Sequence, residues 1–158
     1  MSINTERQGH TYPPAQPYQV SREAIREFAH AVKAAHPAHY EVDSARELGH
    51  PDLVAPPSFA VVIAQRAEAA VINDEEAGID FSRVVHADER FTHHAPIFAG
   101  ETLHAQATLE RIRVMGAGAM VTTRVEITAE SGEAKSTVSS SLLVRSDDEN
   151  DDAKEASA

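Results

Sequence analysis

Cysteine is absent from this 158-residue chain. That excludes disulfides, a thiolate zinc site and a cysteine nucleophile, and it fits a reducing compartment. No run of 18 apolar residues occurs, so no membrane-spanning helix is expected. The opening residues, MSINTERQGHTYPP, contain no apolar h-region, so no secretory signal is visible. A soluble, cytoplasmic protein is the expectation. Positive charge is also scarce: 14 Lys and Arg stand against 25 Asp and Glu, for a net charge of −11. Nucleic-acid binding needs clustered Lys and Arg and is not expected here. The same acidity gives no broad attraction for any phosphate-bearing or acidic partner.

What is present suits one domain with a real core, since a chain of this length buries roughly 70% of the surface it exposes when unfolded. Residues 146–158 hold six acids and one base, a net of −5 that leaves −6 for the rest. With nothing apolar larger than Ala, this tail reads as disordered. Residues 10–20 (HTYPPAQPYQV) are Pro-rich and predict an extended arm or edge strand. Ser21 is a good helix N-cap, with Glu23 in the first turn. Ile25, Phe28, Ala29 and Val32 then mark one apolar helical face. Pro37 disfavours helix at His36, so that helix should end near Ala35. Ser44-Ala-Arg-Glu47 is a capping box, and Gly49 can close the short helix it starts. Ser58 can cap the next helix. Its first half, residues 59–64 (FAVVIA), is apolar all round and should be buried on every side; the helix fades near Asn73.

After Gly78 the period changes from 3.6 to 2. Residues 82–91 predict a strand. Leu103, Ala105, Ala107 and Leu109 alternate with polar residues, then the apolar register moves to Ile112 and Val114, which predicts a β-bulge near Glu110-Arg111. Gly116 and Gly118 mark a turn. Val121, Thr123, Val125, Ile127 and Ala129 form the inner face of a further strand, Ser131-Gly132 a tight hairpin, and Val138, Leu142 and Val144 line the last strand. Helices precede an antiparallel meander, an α+β order. The longest helix is too apolar for a surface. An antiparallel sheet wrapped around one long buried helix, the hotdog fold, satisfies both facts. The expected organisation is a Pro-rich arm with the first strand over residues 1–20, a hotdog domain over 21–145 and the acidic tail over 146–158.

The stretch Ala34-Ala35-His36-Pro37-Ala38-His39 ahead of that helix resembles the Asp-x-Asn-Pro-x-His signature of the MaoC-like (R)-specific hydratase and dehydratase family. Glu89-Arg90-Phe91 with Pro96…Gly100-Glu101-Thr102-Leu103 is similar to the family's Phe…Pro-x-x-x-Gly-Asp-x-Leu. Leu48-Gly49-His50-Pro51 and Val54-Ala55-Pro56-Pro57-Ser58-Phe59 resemble its single-hotdog dehydratase subunits. The resemblance spans roughly residues 12–145. It implies syn hydration of a trans-2-enoyl thioester, or the reverse, with an Asp and a His holding one water. It also implies no cofactor beyond the acyl-CoA or acyl-carrier-protein thioester itself, and a site between two hotdogs.

Carried onto this chain, the catalytic His falls on His39. The Asn position holds His36, which in principle can substitute, and the Asp position holds Ala34. The thioester oxygen would meet backbone N–H groups of Ser58, Phe59 and Ala60, with Pro57 just ahead, because a helix N-terminus offers unpaired donors. A missing carboxylate removes a base and the group that orients water, and acid–base steps contribute roughly 10²–10⁴-fold. The leading expectation is therefore an acyl-thioester hydratase/dehydratase-type subunit, weak or inactive alone, paired with itself or with another hotdog subunit. The alternatives are a self-sufficient homodimeric hydratase using His39 with Asp43 or Asp52, a non-catalytic acyl-thioester binding module, and a thioesterase. No metal is expected: His30, His36 and His39, or His93 and His94, lack the helix-borne His-Glu-x-x-His arrangement. Ser58 lacks a Gly-x-Ser-x-Gly elbow and is better explained as a cap than as a nucleophile. His86 and His104 are most simply solvent-facing.

Overall fold

The first helix, α1 (Arg22–Ala31), starts where its cap dictates: Ser21 Oγ accepts the Ala24 N–H at 3.0 Å. Ile25 and Ala29 are buried and Phe28 packs against the core, but Val32 is exposed. The helix ends four residues before the expected Ala35. Lys33 adopts a left-handed conformation (φ 59°), and the Ala34 N–H bonds back to Ala29 O at 2.8 Å. That is a Schellman closure, with Lys where glycine is usual. Pro37 therefore does not set the end of this helix. The computed structural model describes residues 3–116 and 118–145; the acidic segment 146–158 lies outside them.

Two further caps differ from expectation. The short helix α2 (Val42–Glu47) starts two residues before Ser44, from Glu41 and with no side-chain cap, so the capping box is not used. Gly49 does close it, at φ 88° with its N–H on Arg46 O. Helix α3 (Ala60–Ile72) follows a 3-10 turn over Pro57–Phe59, and Ser58 makes no capping bond to it. A turn built from Pro56 and Pro57 already sets the backbone entry angle, and the Ser58 side chain is left outside the cap position.

The sheet order is β1-β3-β4-β5-β2, antiparallel throughout, with β1 (Tyr18–Gln19), β2 (Val84–His93), β3 (Thr102–Met115), β4 (Gly118–Ala129) and β5 (Ala134–Arg145). It curls around α3 in the hotdog arrangement. Phe59, Ala60, Ile63, Ala64, Ala67 and Val71 are buried against it, whereas Val61 and Val62 are only half-buried. The start of the helix is thus not enclosed on every side. Opposite it lie Leu103, Leu109, Val121, Val125, Ile127 and Val138, all nearly inaccessible to solvent. Each such side chain contributes about 1.5–3 kcal/mol by leaving water. The Pro-rich arm runs along β3: Tyr12 and Ala15 donate to Ala107 O and Ala105 O, and Tyr12 Oη donates to Asp74 Oδ2 beside Arg7. Burial lifts the Tyr12 phenol to about 12.

Three bulges shape the sheet. The expected one lies at Glu110, between the Leu109 and Arg111 pairs. Ala87 is bulged on β2 and Lys135 on β5. An extra residue resets the two-residue alternation, so side chains beyond it change face. On β2 the inward set is Val84 and His86 before the bulge, then Glu89, Phe91 and His93 after it. These pair with Val144, Leu142, Ser140, Val138 and Ser136, the inner face of β5. Gly118 closes the β3–β4 turn where β4 meets β5; a Cβ there would collide with the Val144 carbonyl.

Candidate functional site

The loop leaving α1 forms a 3-10 turn at Pro37–His39, and both histidines have defined partners. His36 Nδ1 accepts the Ala38 N–H at 3.1 Å, so this exposed ring caps the turn. An Asn side chain at the same position would do the same work. His39, half-buried, places Nδ1 2.7 Å from Val54 O. A carbonyl only accepts, so Nδ1 carries the proton, and Nε2 of the neutral ring is left as an acceptor. The ring lies between those of His36 (centroids 6.2 Å apart) and Tyr40 (6.5 Å). Tyr40 Oη donates to Ala34 O at 2.6 Å, which locks the backbone at the position that the resemblance assigns to a carboxylate.

Of the two alternative carboxylates, Asp52 is already engaged. Asp52 is held by Arg22 at 3.0 and 2.8 Å and accepts the Leu53 N–H at 2.8 Å. The Arg22 guanidinium holds its carboxyl below the usual range. Asp43 lies exposed on α2.

Beside the turn runs a cleft of about 410 Å³. One wall is His50, Val54, Ala55, Pro56 and Pro57; the other is residues 93–97, His-His-Ala-Pro-Ile. The walls are tied together by backbone, with Ala55 N on Ile97 O at 2.8 Å and Ala99 N on Leu53 O at 2.9 Å. Val54 links the cleft to His39, because its carbonyl holds the His39 ring. Of the residues singled out from sequence, Pro57 lines this cleft. His36 and His39 do not line it, and Ser58, half-buried, sits at the helix entry. The Phe59 side chain is buried between Phe28 (ring centroids 5.4 Å) and Tyr18 (6.3 Å), and Ala60 is fully buried, so both serve the core. The Phe59 N–H already bonds Pro56 O at 2.9 Å, so one of the three expected donors is engaged within the turn.

Sequence reasoning gave two groups no part in such a cleft. His50, His93 and His94 line the cleft; His93 Nδ1 lies 3.4 Å from Ser136 Oγ, and His94 Nε2 lies 3.0 Å from Thr137 Oγ1. The sequence signal for them was the His93-His94 pair just before Pro96. The second is Lys135, whose buried ammonium bonds Pro96 O at 3.0 Å and Glu101 Oε1 at 2.6 Å, bracing the second wall. Nothing in a hairpin sequence Ser-Gly-Glu-Ala-Lys marks that lysine as buried. Among the described residues, no group of three or more His, Asp or Glu is arranged to hold a metal ion.

Residues 7–137 match the family model "FAS1-like, dehydratase domain region". A UPF0336 protein of Leifsonia xyli subsp. xyli is 45% identical over 146 residues, covering 92% of this chain and 98% of its own. Another, from Saccharopolyspora erythraea, is 40% identical over 148 residues, covering 94% of this chain and 95% of its own. Among solved structures, a MaoC-like dehydratase superposes with a TM-score of 0.82 at 32% identity over 90% of this chain. This chain spans only 43% of that protein's length. The C-terminally truncated HadBC (3R-hydroxyacyl-ACP dehydratase) complex of Mycobacterium tuberculosis superposes with a TM-score of 0.73 at 32% identity, over 86% of this chain and 96% of its own. The chain belongs to the FAS1-like dehydratase-domain family, within the MaoC-like hotdog proteins.

Proposed function

We propose that this chain is a hydratase/dehydratase-type subunit for acyl-CoA or acyl-carrier-protein thioesters in fatty acid metabolism of the cytoplasm, weak or inactive alone. A second hotdog chain with an intact Asp–His pair would complete it. The observation that carries this reading is the turn around His39. Its imidazole is oriented by Val54 O with Nε2 left as an acceptor, while the position for the second base is Ala34, tied to Tyr40. His36 is occupied as a cap and Asp52 by Arg22. One oriented base can hold a water, but the partner that would orient that water and share the proton transfers is missing from position 34. That the HadBC structure is a complex by its name lends support to a two-chain assembly. A homodimer relying on His39 would need a carboxylate other than Asp52, which Arg22 holds.

The test is hydration of crotonyl-CoA followed by loss of enoyl absorbance. The purified chain should turn over slowly. Ala34→Asp should raise its rate roughly 10²-fold or more, the scale of a restored acid–base group. Fast turnover by the unaltered chain, abolished by His39→Ala, would establish the self-sufficient enzyme instead. Release of free CoA would identify a thioesterase.

A further inference from the structure

Positive charge is scarce in this chain, yet the outer face of the sheet, turned away from α3, gathers five of its 14 Lys and Arg. Arg111 and Arg113 stand on β3, Arg124 on β4, Arg90 on β2 and Arg145 at the end of β5. They alternate with Leu109, Ile112, Val121, Val125, Val138 and Val144, which are buried on the inner face. The Glu110 bulge makes this arrangement. Without the extra residue, positions 111 and 113 would share the inner face with Leu109. The register sets Arg111 beside Thr122 and Ser141, Arg113 beside Met120 and Leu143, and Arg124 and Arg90 on either side of Ser139. Asp88, Glu110 and Glu126 are the acids of these strands on the same face.

Two of the five are engaged: Arg90 bonds Asp88 at 2.7 Å, and Arg124 is paired with Glu126. Arg111, Arg113 and Arg145 are exposed and have no ion pair among the described residues. Between Arg111 and Arg90 lies a hollow of about 430 Å³, lined also by Gln8, Glu110 and the hydroxyls of Thr122, Ser139 and Ser141. Those half-buried hydroxyls bond no other described residue. Guanidinium and hydroxyl donors select carboxylate oxygens. A dense source of carboxylates begins at the edge of this face. Strand β5 ends there at Arg145, and residues 146–158 carry Asp147, Asp148, Glu149, Asp151, Asp152 and Glu155 against Lys154 alone. Arg113 lies two strands across and one rung back from Arg145, roughly 12 Å away by strand geometry. A segment of this length spans at most about 45 Å, so its reach is ample. A single exposed ion pair is weak. Several together, on a tether that keeps the effective concentration near millimolar, make occupancy favourable.

We propose that this arginine face is a docking surface for acidic polypeptide and that its occupant is the chain's own segment 146–158, with carboxylates on Arg111, Arg113 and Arg145. The segment is then a tethered competitor: an acidic partner gains this face only by displacing it. The surface is separate from the His39 turn and does not depend on the function proposed for it.

Because the chain lacks cysteine, Ala153→Cys gives the full chain a single attachment point for a nitroxide label. Amide spectra at about 20 mM salt should show paramagnetic broadening at Arg111, Arg113 and Thr122, with recovery at about 0.5 M, where the Debye length falls to about 4 Å. Arg111→Gln together with Arg113→Gln, both exposed positions, should remove the broadening and leave the circular dichroism spectrum unchanged. The second readout is calorimetric titration of a hexaglutamate peptide. Asp147→Asn, Asp148→Asn, Glu149→Gln, Asp151→Asn and Asp152→Asn together should tighten its binding at least tenfold. Adding Arg111→Gln and Arg113→Gln should abolish that gain. Broadening confined to the neighbours of Arg145, or untouched by salt or by the arginine substitutions, would overturn the proposal. So would broadening of an unlabelled, isotope-enriched chain mixed with the labelled one, which would make the contact one between copies. A hexaglutamate affinity unchanged by neutralising the segment would overturn it as well. Crotonyl-CoA hydration is not a readout here, so failure of this test and failure of the thioester reading are distinguishable.

Discussion

Lys135→Met should be among the most destabilising single changes in this chain, although it adds apolar character. The Lys135 side chain is 2% exposed. Its ammonium lies 2.6 Å from Glu101 Oε1, 3.0 Å from Pro96 O and 4.7 Å from the centre of the Phe98 ring. Glu133, 3.3 Å away, is 56% exposed and adds little. The partner that decides the outcome is Glu101, 10% exposed. Without the lysine it keeps only the Phe98 N–H, 3.0 Å from Oε2. Removing one member of a buried pair leaves the other charge uncompensated, at a cost of about 3–5 kcal/mol. A domain of this kind has about 5–15 kcal/mol in all. With a urea dependence of about 2 kcal/mol/M, the unfolding midpoint should fall by about 2 M. The loss is concentrated on the wall of the 410 Å³ cleft, where Lys135 O also accepts from the His94 and Ala95 amides. Lys135→Met combined with Glu101→Gln should recover at least half the loss, because a neutral replacement of the whole pair has no stranded charge. Equilibrium urea unfolding at pH 7 measures both. A midpoint within about 0.3 M of the parent for Lys135→Met, or strict additivity in the double variant, would refute the account.

Lys33→Gly should raise stability by about 0.5–1 kcal/mol, since the Schellman position at φ 59° penalises a Cβ; a higher thermal midpoint is the check, and a lower one would contradict it. Glu89 bears on pH dependence. Burial raises its folded-state carboxyl, so its contribution is fully present below the unfolded value of about 4.3 and is lost as pH rises through the folded one. Glu89→Gln should accordingly gain on the parent as pH rises from 4 to 7.5, and urea midpoints that differ by the same amount at both pH values would rule this out.

Much of the architecture was legible in the chain itself. Period-2 alternation of Leu103, Ala105, Ala107 and Leu109, followed by Ile112, located both β3 and its bulge, because an inner face tolerates no slip. The all-apolar start of α3 announced a helix inside a sheet. Caps were less legible. Ser44 and Ser58 carry the right side chains, but backbone geometry set by Pro56 and Pro57, and by the approach of α2, decided where those helices begin. The end of α1 was hidden for a similar reason, since Lys33 gives no sign of a left-handed turn.

Of the site, the sequence alone determined the chemical inventory: a His at position 39, no carboxylate at position 34, no cysteine, an acidic body. Those are properties of residue types and their spacing, which no folding can alter. Only the tertiary structure decided what each group does. His36 became a cap, because its ring lies over the Ala38 amide. Asp52 was withdrawn by Arg22, thirty residues earlier in the chain. Lys135 turned inward and Glu89 met His86 because single bulged residues reversed strand parity. Side-chain direction along a strand depends on the register of the neighbouring strand, and register is a long-range property that local sequence does not encode.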